Sequence, residues 1–278
     1  MKETKIIAEI GYNAGETKDL KLAYEFISSA IKAGAWAVKF QKWDIENIPE
    51  KIKQTSRDLK DSFGDTYYKH RKAVEYTIEQ LKKLRHEALI QGAEFIISGK
   101  DYNSIVELVT AGFTHIKIPS QLAFDRDIYE YLKGKLLTIY VSFGMCNESD
   151  YKYSPWWKEL TVNKFHCHSE YPVDLHKINF SVFQKYDFNG YSSHDLIEFP
   201  TLHLVGIVDY IERHFTIDKD LKGRDNATVS SDEAGFQLIC DWSNDHTDLF
   251  KDRLRKMTKQ EQKISDFYKG ALNDDSDK

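Results

Sequence analysis

The sequence predicts a (β/α)8 barrel. Three observations carry that expectation: eight short β-rich runs, helical patterns between several of them, and a length of 278 residues against the roughly 250 typical of the fold. In chain order the runs are KIIAEIGY (5–12), WAVKFQ (36–41), AEFIISG (93–99), HIKIPS (115–120), LLTIYVSFG (136–144), KFHCHS (164–169), FNGYSSH (188–194) and VDYIERHFT (208–216). After the first run, Leu20, Ala23, Phe26, Ile27, Ala30 and Ile31 recur at helical spacing, and Gly34 stands where a C-cap glycine is expected. Similar patterns predict helices over 78–91 and 104–111. The stretch 44–76 is long and highly charged, and reads as a solvated surface excursion after the second strand with some helix of its own. From about Ser243 the chain reads as a charged helix, and the closing NDDSDK as an acidic, disordered tail. No linker separates a second domain, so residues 1–278 are expected to hold one barrel. A count of eight strands favours closure over an open doubly wound sheet.

Composition narrows the function. Apolar residues make up 41% and charged residues 30%, enough for a full core, and the net charge of −5 comes from interspersed charges of both signs. That pattern speaks against a nucleic-acid partner. No apolar run approaches the roughly 20 residues that span a bilayer, and MKETKIIAEIGYN lacks the apolar stretch of a signal peptide. The expectation is a cytoplasmic protein with no membrane partner. Cys146, Cys167 and Cys240 are few, odd in number and far apart, as suits reduced thiols.

In a (β/α)8 barrel the site lies at the C-terminal ends of the strands, so polar residues gathered there are the candidates. Glu9, Lys39 with Gln41, Ser98, Lys117 with Ser120, Ser142, His168 with Ser169, Ser192 with His194, and Glu212 with His214 all fall near such ends. Side chains alternate along a strand, so Glu212 and His214 share a face while Arg213 points the other way. His194 ends the preceding strand. The two histidines then suit either a divalent metal with open positions or two separately hydrogen-bonded rings. Lys39 and Lys117 could meet a phosphate or carboxylate, with Ser120 and Ser192 adding hydroxyl donors, or they could be ordinary ion-pair residues. In FHCHSEYP, His166 and His168 share a face but Cys167 does not, and no second Cys/His pair follows, so a zinc site there is not favoured. Met145, Trp156 and Trp157 show no pattern beyond packing.

These motifs, in this order, resemble the sialic acid synthase family, the phosphoenolpyruvate-dependent nonulosonate synthases. IIAEIGYNAG, AGAWAVKFQ, HIKIPS, VSFGM, HCHSEYP, GYSSH and IERHFTIDKDLKGRD look like its successive signatures. The resemblance implies a (β/α)8 barrel, acting as a homodimer, that condenses phosphoenolpyruvate with a sugar aldehyde and uses a divalent metal, Mn2+ or Mg2+. Carried over by position, it implies His194 and His214 as metal ligands and Lys39, Lys117, Ser120, Ser169 and Ser192 as phosphoenolpyruvate contacts. Glu9, Tyr171 and Asp225 fall near the acceptor sugar and Glu212 beside the reacting carbon, with Glu212 or Glu9 expected to act in catalysis by transferring a proton or stabilising the developing cation. The departures fall in loops at strand ends: NAG lacks the family's histidine, SGKD replaces STPF and brings Lys100, and SQL lacks an acidic residue. The sequence also stops where the family continues into a small antifreeze-like domain that contacts the acceptor's acetamido group. Together these imply a changed acceptor, with Lys100 suited to a phosphorylated or acidic one, or else a missing contact supplied by another chain. Two other readings of the same residues are a metal-dependent aldolase or isomerase that ignores phosphoenolpyruvate, and a degenerate barrel that serves as a binding protein.

Overall fold

The computed structural model describes residues 3–60, 62–152, 160–249 and 256–274. It forms two compact units, Met1–Thr247 and Asp248–Lys278. The first contains eight strands: β1 Lys5–Glu9, β2 Ala37–Lys42, β3 Glu94–Gly99, β4 His115–Ile118, β5 Thr138–Phe143, β6 Val162–Cys167, β7 Gly190–Ser193 and β8 Tyr210–His214. Each pairs in parallel with the next, and β1 pairs with β8 from Lys5↔Tyr210 to Glu9↔His214, which closes the barrel. The predicted (β/α)8 barrel is therefore the observed fold.

The helices in chain order are α1 Lys21–Lys32, α2 Glu50–Lys53, α3 Tyr67–Val74, α4 Ile78–Ile90, α5 Tyr102–Thr110, α6 Arg126–Leu132, α7 Val182–Lys185, α8 Phe199–Leu204, α9 Arg224–Thr228 and α10 Glu233–Leu249. Local chemistry sets their ends. Thr77 and Gln80 form a reciprocal capping box at the start of α4, and Asp101 caps α5 by accepting from the Ser104 amide. Gly34, beyond the end of α1, has φ +95°, and a Cβ there would lie 2.8 Å from Cys240 Cβ, so both conformation and the approach of α10 require glycine.

Two predicted boundaries differ from the structure. The C-terminal helix begins at Glu233 rather than near Ser243, because Phe236, Ile239 and Cys240 form an apolar stripe buried in the main core. The second unit holds a further helix, α11 Lys259–Asp274, which takes in the start of NDDSDK. Residues 275–278, Trp156 and Trp157 lie outside the described residues. The stretch 44–76 does carry helix, as expected, but it is more than a solvated excursion: Ser62, Arg71, Val74 and Tyr76 are buried.

Inside the barrel the side chains stack in layers, because inward positions recur every second residue and the strands are staggered. Ile7, Ala37, Ile96, Tyr140 and Phe165 form an apolar floor, with Trp36 and Tyr210 packed against it. The next inward positions are polar. A second, larger core fills the space between the outer faces of the strands and the helices. Phe165 keys the floor: its ring lies 6.0 Å from those of Tyr140 and Tyr210, and a Cβ on Gly190 would come within 2.7 Å of it. Phe165→Ala is expected to lower stability by about 3–5 kcal/mol, read as a fall in the urea midpoint with the slope unchanged. A midpoint equal to that of the native chain would show that the floor can collapse around the gap.

Candidate active site

One strand position above the apolar floor, the barrel interior becomes ionic. Glu9, Lys39, Lys117 and Glu212 are all buried there, from β1, β2, β4 and β8. Lys117 Nζ donates to Glu212 Oε2 at 2.9 Å, and Lys39 Nζ lies 3.4 Å from Glu212 Oε1. Lys39 also pairs directly with Glu9, which accepts from the Gln41 amide as well. Ser192 Oγ donates to Glu212 Oε1 at 3.1 Å, and Ser98 accepts from Lys39 at 3.4 Å. Lys117 lies 3.6 Å from the centre of the Phe165 ring, so floor and charge layer touch.

Burial and charge compete at each of these groups. Burial acts to raise the carboxyl of Glu212, but Lys117 and Lys39 outweigh it and hold the group well below the usual carboxylate range. Lys39, opposed by burial but facing Glu212 and Glu9, sits above the ordinary lysine value. Burial depresses Lys117, which has only one carboxylate partner. Glu212 is thus held as a carboxylate, and Lys117 is the less compensated of its two lysine partners.

The next tier, at the barrel mouth, contains Ser120, Ser169, Tyr171, His194 and His214. Ser120 Oγ accepts from the Gly144 amide at 3.1 Å. The rings of His194 and His214 lie 5.5 Å apart, and Tyr171 packs on both, 3.9 Å from the first and 5.9 Å from the second. His194 Nδ1 is hydrogen-bonded to the backbone carbonyl of His168, which makes Nδ1 the protonated nitrogen and leaves the Nε2 lone pair available. Burial and the neighbouring His214 push His194 down to about 3, so its ring is neutral. Buried His214 Nδ1 has no hydrogen-bond partner, the nearest charged group being Asp225 Oδ2 at 3.9 Å. A neutral imidazole oriented by a carbonyl, beside a second ring with an unsatisfied nitrogen, fits a divalent metal. No group of three or more His, Cys, Asp or Glu side chains converges as a metal cage among the described residues, so such an ion would keep open positions.

The residues picked out at the strand ends therefore largely converge. Glu9, Lys39, Gln41, Ser98, Lys117, Ser120, Ser142, Ser169, Ser192, His194, Glu212 and His214 line one cavity, together with Tyr171 and Lys100. His168 does not: its ring packs against His166 on the far side of the strand, and it contributes only its carbonyl. Asp225, on α9, lines an adjoining cavity that shares Gln41, Lys100, Tyr171 and His214 with the first. Sequence reasoning passed over Cys167 and Met145, which line the mouth, and Arg57, His70 and Arg71, which line the adjoining cavity. The alternation that turns His166 outward points Cys167 inward, so that residue was open to the same argument as Glu212. Arg57, His70 and Arg71 come from the excursion after β2, where no period marks the inward face.

The sequence profile of the NeuB family matches residues 26–251. N,N'-diacetyllegionaminic acid synthase of Legionella pneumophila is 32% identical over 250 residues, which cover 84% of this chain and 70% of that protein. N-acetylneuraminate-9-phosphate synthase of Homo sapiens is 30% identical over 238 residues, covering 80% of this chain and 64% of that one. Among solved structures, N-acetylneuraminic acid synthetase from Leptospira borgpetersenii superposes with a TM-score of 0.74 at 24% identity, covering 95% of this chain and 90% of the other. The last likeness bears on the barrel alone.

Glu212→Gln would leave Lys117 buried without its carboxylate, at an expected cost of about 3–5 kcal/mol near neutral pH. The sign with pH follows from the lysine. Its folded pKa falls further below the unfolded value, so the penalty is full below the folded pKa and is relieved as pH rises toward the ordinary lysine value of about 10.4. Denaturation at several pH values should show the deficit narrowing with alkali, and Lys117→Met added to Glu212→Gln should recover part of it. A deficit that is constant with pH and untouched by the second change would contradict the charge account.

Proposed function

Because the chain belongs to the NeuB family, whose profile spans most of it, we propose that it condenses phosphoenolpyruvate with a sugar aldehyde to give a 3-deoxy-2-keto acid and inorganic phosphate. The observation that carries this reading is the paired Lys39–Glu212–Lys117 cluster directly below two histidines with available ring nitrogens. Phosphoenolpyruvate brings a phosphate and a carboxylate. Lys117, short of negative charge, and Lys39 would pair with them, with the hydroxyls of Ser120, Ser169 and Ser192 as further donors. A divalent metal held by His194 and His214 would act as a Lewis acid toward the acceptor's aldehyde oxygen.

The reaction forms a bond between carbon three of phosphoenolpyruvate and the aldehyde carbon, and the carbonyl oxygen takes up a proton. Positive charge then develops at carbon two, water adds there, and the carbon–oxygen bond to phosphate breaks. Glu212 remains a carboxylate under the hold of its two lysines, which makes it a poor base and suits it to stabilise that positive charge electrostatically. Glu9 faces the same space and holds Lys39 in place. Tyr171, tilted against the His194 ring at 3.9 Å, lines the mouth beside both histidines. Coordination that needs only two side chains also suits a metal-dependent aldolase, but two buried lysines converging on one carboxylate favour a substrate with two anionic groups.

Incubated with phosphoenolpyruvate, Mn2+ and an aldose panel, the protein should release phosphate only when an acceptor is present. Silence across a broad panel would remove the synthase reading. His194→Ala and His214→Ala should each abolish turnover with the circular dichroism spectrum retained, since each removes one of two ligands; full activity in either excludes the metal assignment. Lys39→Ala and Lys117→Ala should chiefly raise KM for phosphoenolpyruvate, by roughly ten-fold or more for a lost charge-assisted contact. A rise confined to the acceptor's KM would contradict that role.

A further inference from the structure

We propose that the cavity adjoining the barrel mouth is an anion subsite, and that the acceptor is accordingly an acidic aldose, a sugar aldehyde carrying phosphate or carboxylate at the end remote from its carbonyl. The acceptor's identity rests on the synthase reading above; the subsite itself does not. Among the described residues, three cations line this cavity, Arg57, Arg71 and Lys100, against one carboxylate, Asp225. Neither Arg57 nor Lys100 has a carboxylate within ion-pair distance among the described residues, whereas Lys39, Lys42 and Lys117 all do. Among the described residues, the Arg57 guanidinium faces the Tyr67 ring, 5.8 Å away.

Arg71 is the anchor. Its guanidinium lies between Tyr12 at 3.7 Å and Trp43 at 4.7 Å, and its side chain is only 7% exposed. It donates to the Tyr12 hydroxyl and stands 3.7 Å from Glu75, yet its Nε is buried with no partner. Glu75 cannot neutralise it alone, because that carboxylate also serves Lys42 at 3.2 Å and the Trp43 amide at 2.8 Å. His70 adds a neutral donor: burial and Arg57 push it down to about 4, and its Nδ1 accepts from the Phe63 amide at 3.2 Å, which assigns the ring proton to Nε2. Lys100 is pushed down to about 8 by burial and by Lys39.

These donors line one cavity with Tyr12, Trp43, Phe63 and Tyr67, a setting suited to a phosphate or carboxylate. Lys100, Gln41, Tyr171 and His214 border both cavities, so an anion held by Arg57 and Arg71 leaves the other end of the same molecule at the barrel mouth. The charge selects the acceptor at the end that does not react.

Calorimetry with unreactive probes tests this without turnover. A hexitol 6-phosphate, a hexonate and the neutral hexitol all lack an aldehyde and cannot condense. At least one of the two acids should bind the full chain about ten-fold or more tightly than the neutral hexitol, and which one does so tells phosphate from carboxylate. Arg57→Met and Lys100→Met should each remove most of that preference, Arg57→Lys should restore part of it, and saturating phosphoenolpyruvate should not displace the acid. Equal binding of all three probes, a preference untouched by both methionine variants, or displacement by phosphoenolpyruvate would each overturn the subsite. Phosphate release with neutral and acidic aldoses alike would overturn the acidic acceptor and leave the synthase reading standing. No release with any aldose would remove the synthase and leave the probe binding to decide the subsite.

Discussion

Two lysines and two glutamates sealed inside a closed barrel set the terms for the rest of this structure. A buried charge without a partner costs several kcal/mol. Glu212 is ionised because Lys117 and Lys39 both reach it, and Lys39 is ionised because Glu9 and Glu212 both reach it. The cluster is balanced in number but not in geometry: Lys117 has one carboxylate where Lys39 has two. Lys117 is therefore the point in the layer where the proposed anionic substrate would find the least competition from carboxylates.

The neighbouring layers hold this one in place. Phe165 and Tyr140 fill the floor, and Gly190 exists as glycine because the Phe165 ring occupies the space a Cβ would need. Above, His168 donates no side chain to the site, yet its carbonyl fixes the tautomer of His194 and so decides which nitrogen faces the cavity. Floor, charge layer and histidine tier are successive inward positions on the same strands.

That regularity explains what could be read from the sequence. The barrel, its eight strands and the inward faces of Glu9, Lys39, Lys117, Ser192, Glu212 and His214 follow from a period of two, and the helices α1, α4 and α5 from apolar spacing and their caps. Where the period stops, legibility stops with it. The stretch 44–76 has no repeat to mark an inward face, so its charges read as solvated, although Arg71 is buried between two aromatic rings and Arg57 opens onto the cavity. The start of α10 was missed for a related reason: the charged residues after Ser243 masked the apolar stripe of Phe236, Ile239 and Cys240. The roles of the two histidines were only half legible, since spacing placed them together but the tautomer depends on a backbone carbonyl from another strand.

The central claim is that this charge layer binds phosphoenolpyruvate and joins its carbons to an aldehyde. Mass spectrometry of products formed from phosphoenolpyruvate labelled with carbon-13 at all three carbons tests it most directly. The account predicts a new acid containing all three labelled carbons bonded to the intact acceptor skeleton, formed only when protein, divalent metal and aldose are all present. Labelled pyruvate alone, or label recovered wholly as unreacted phosphoenolpyruvate across neutral and acidic aldoses, would contradict it.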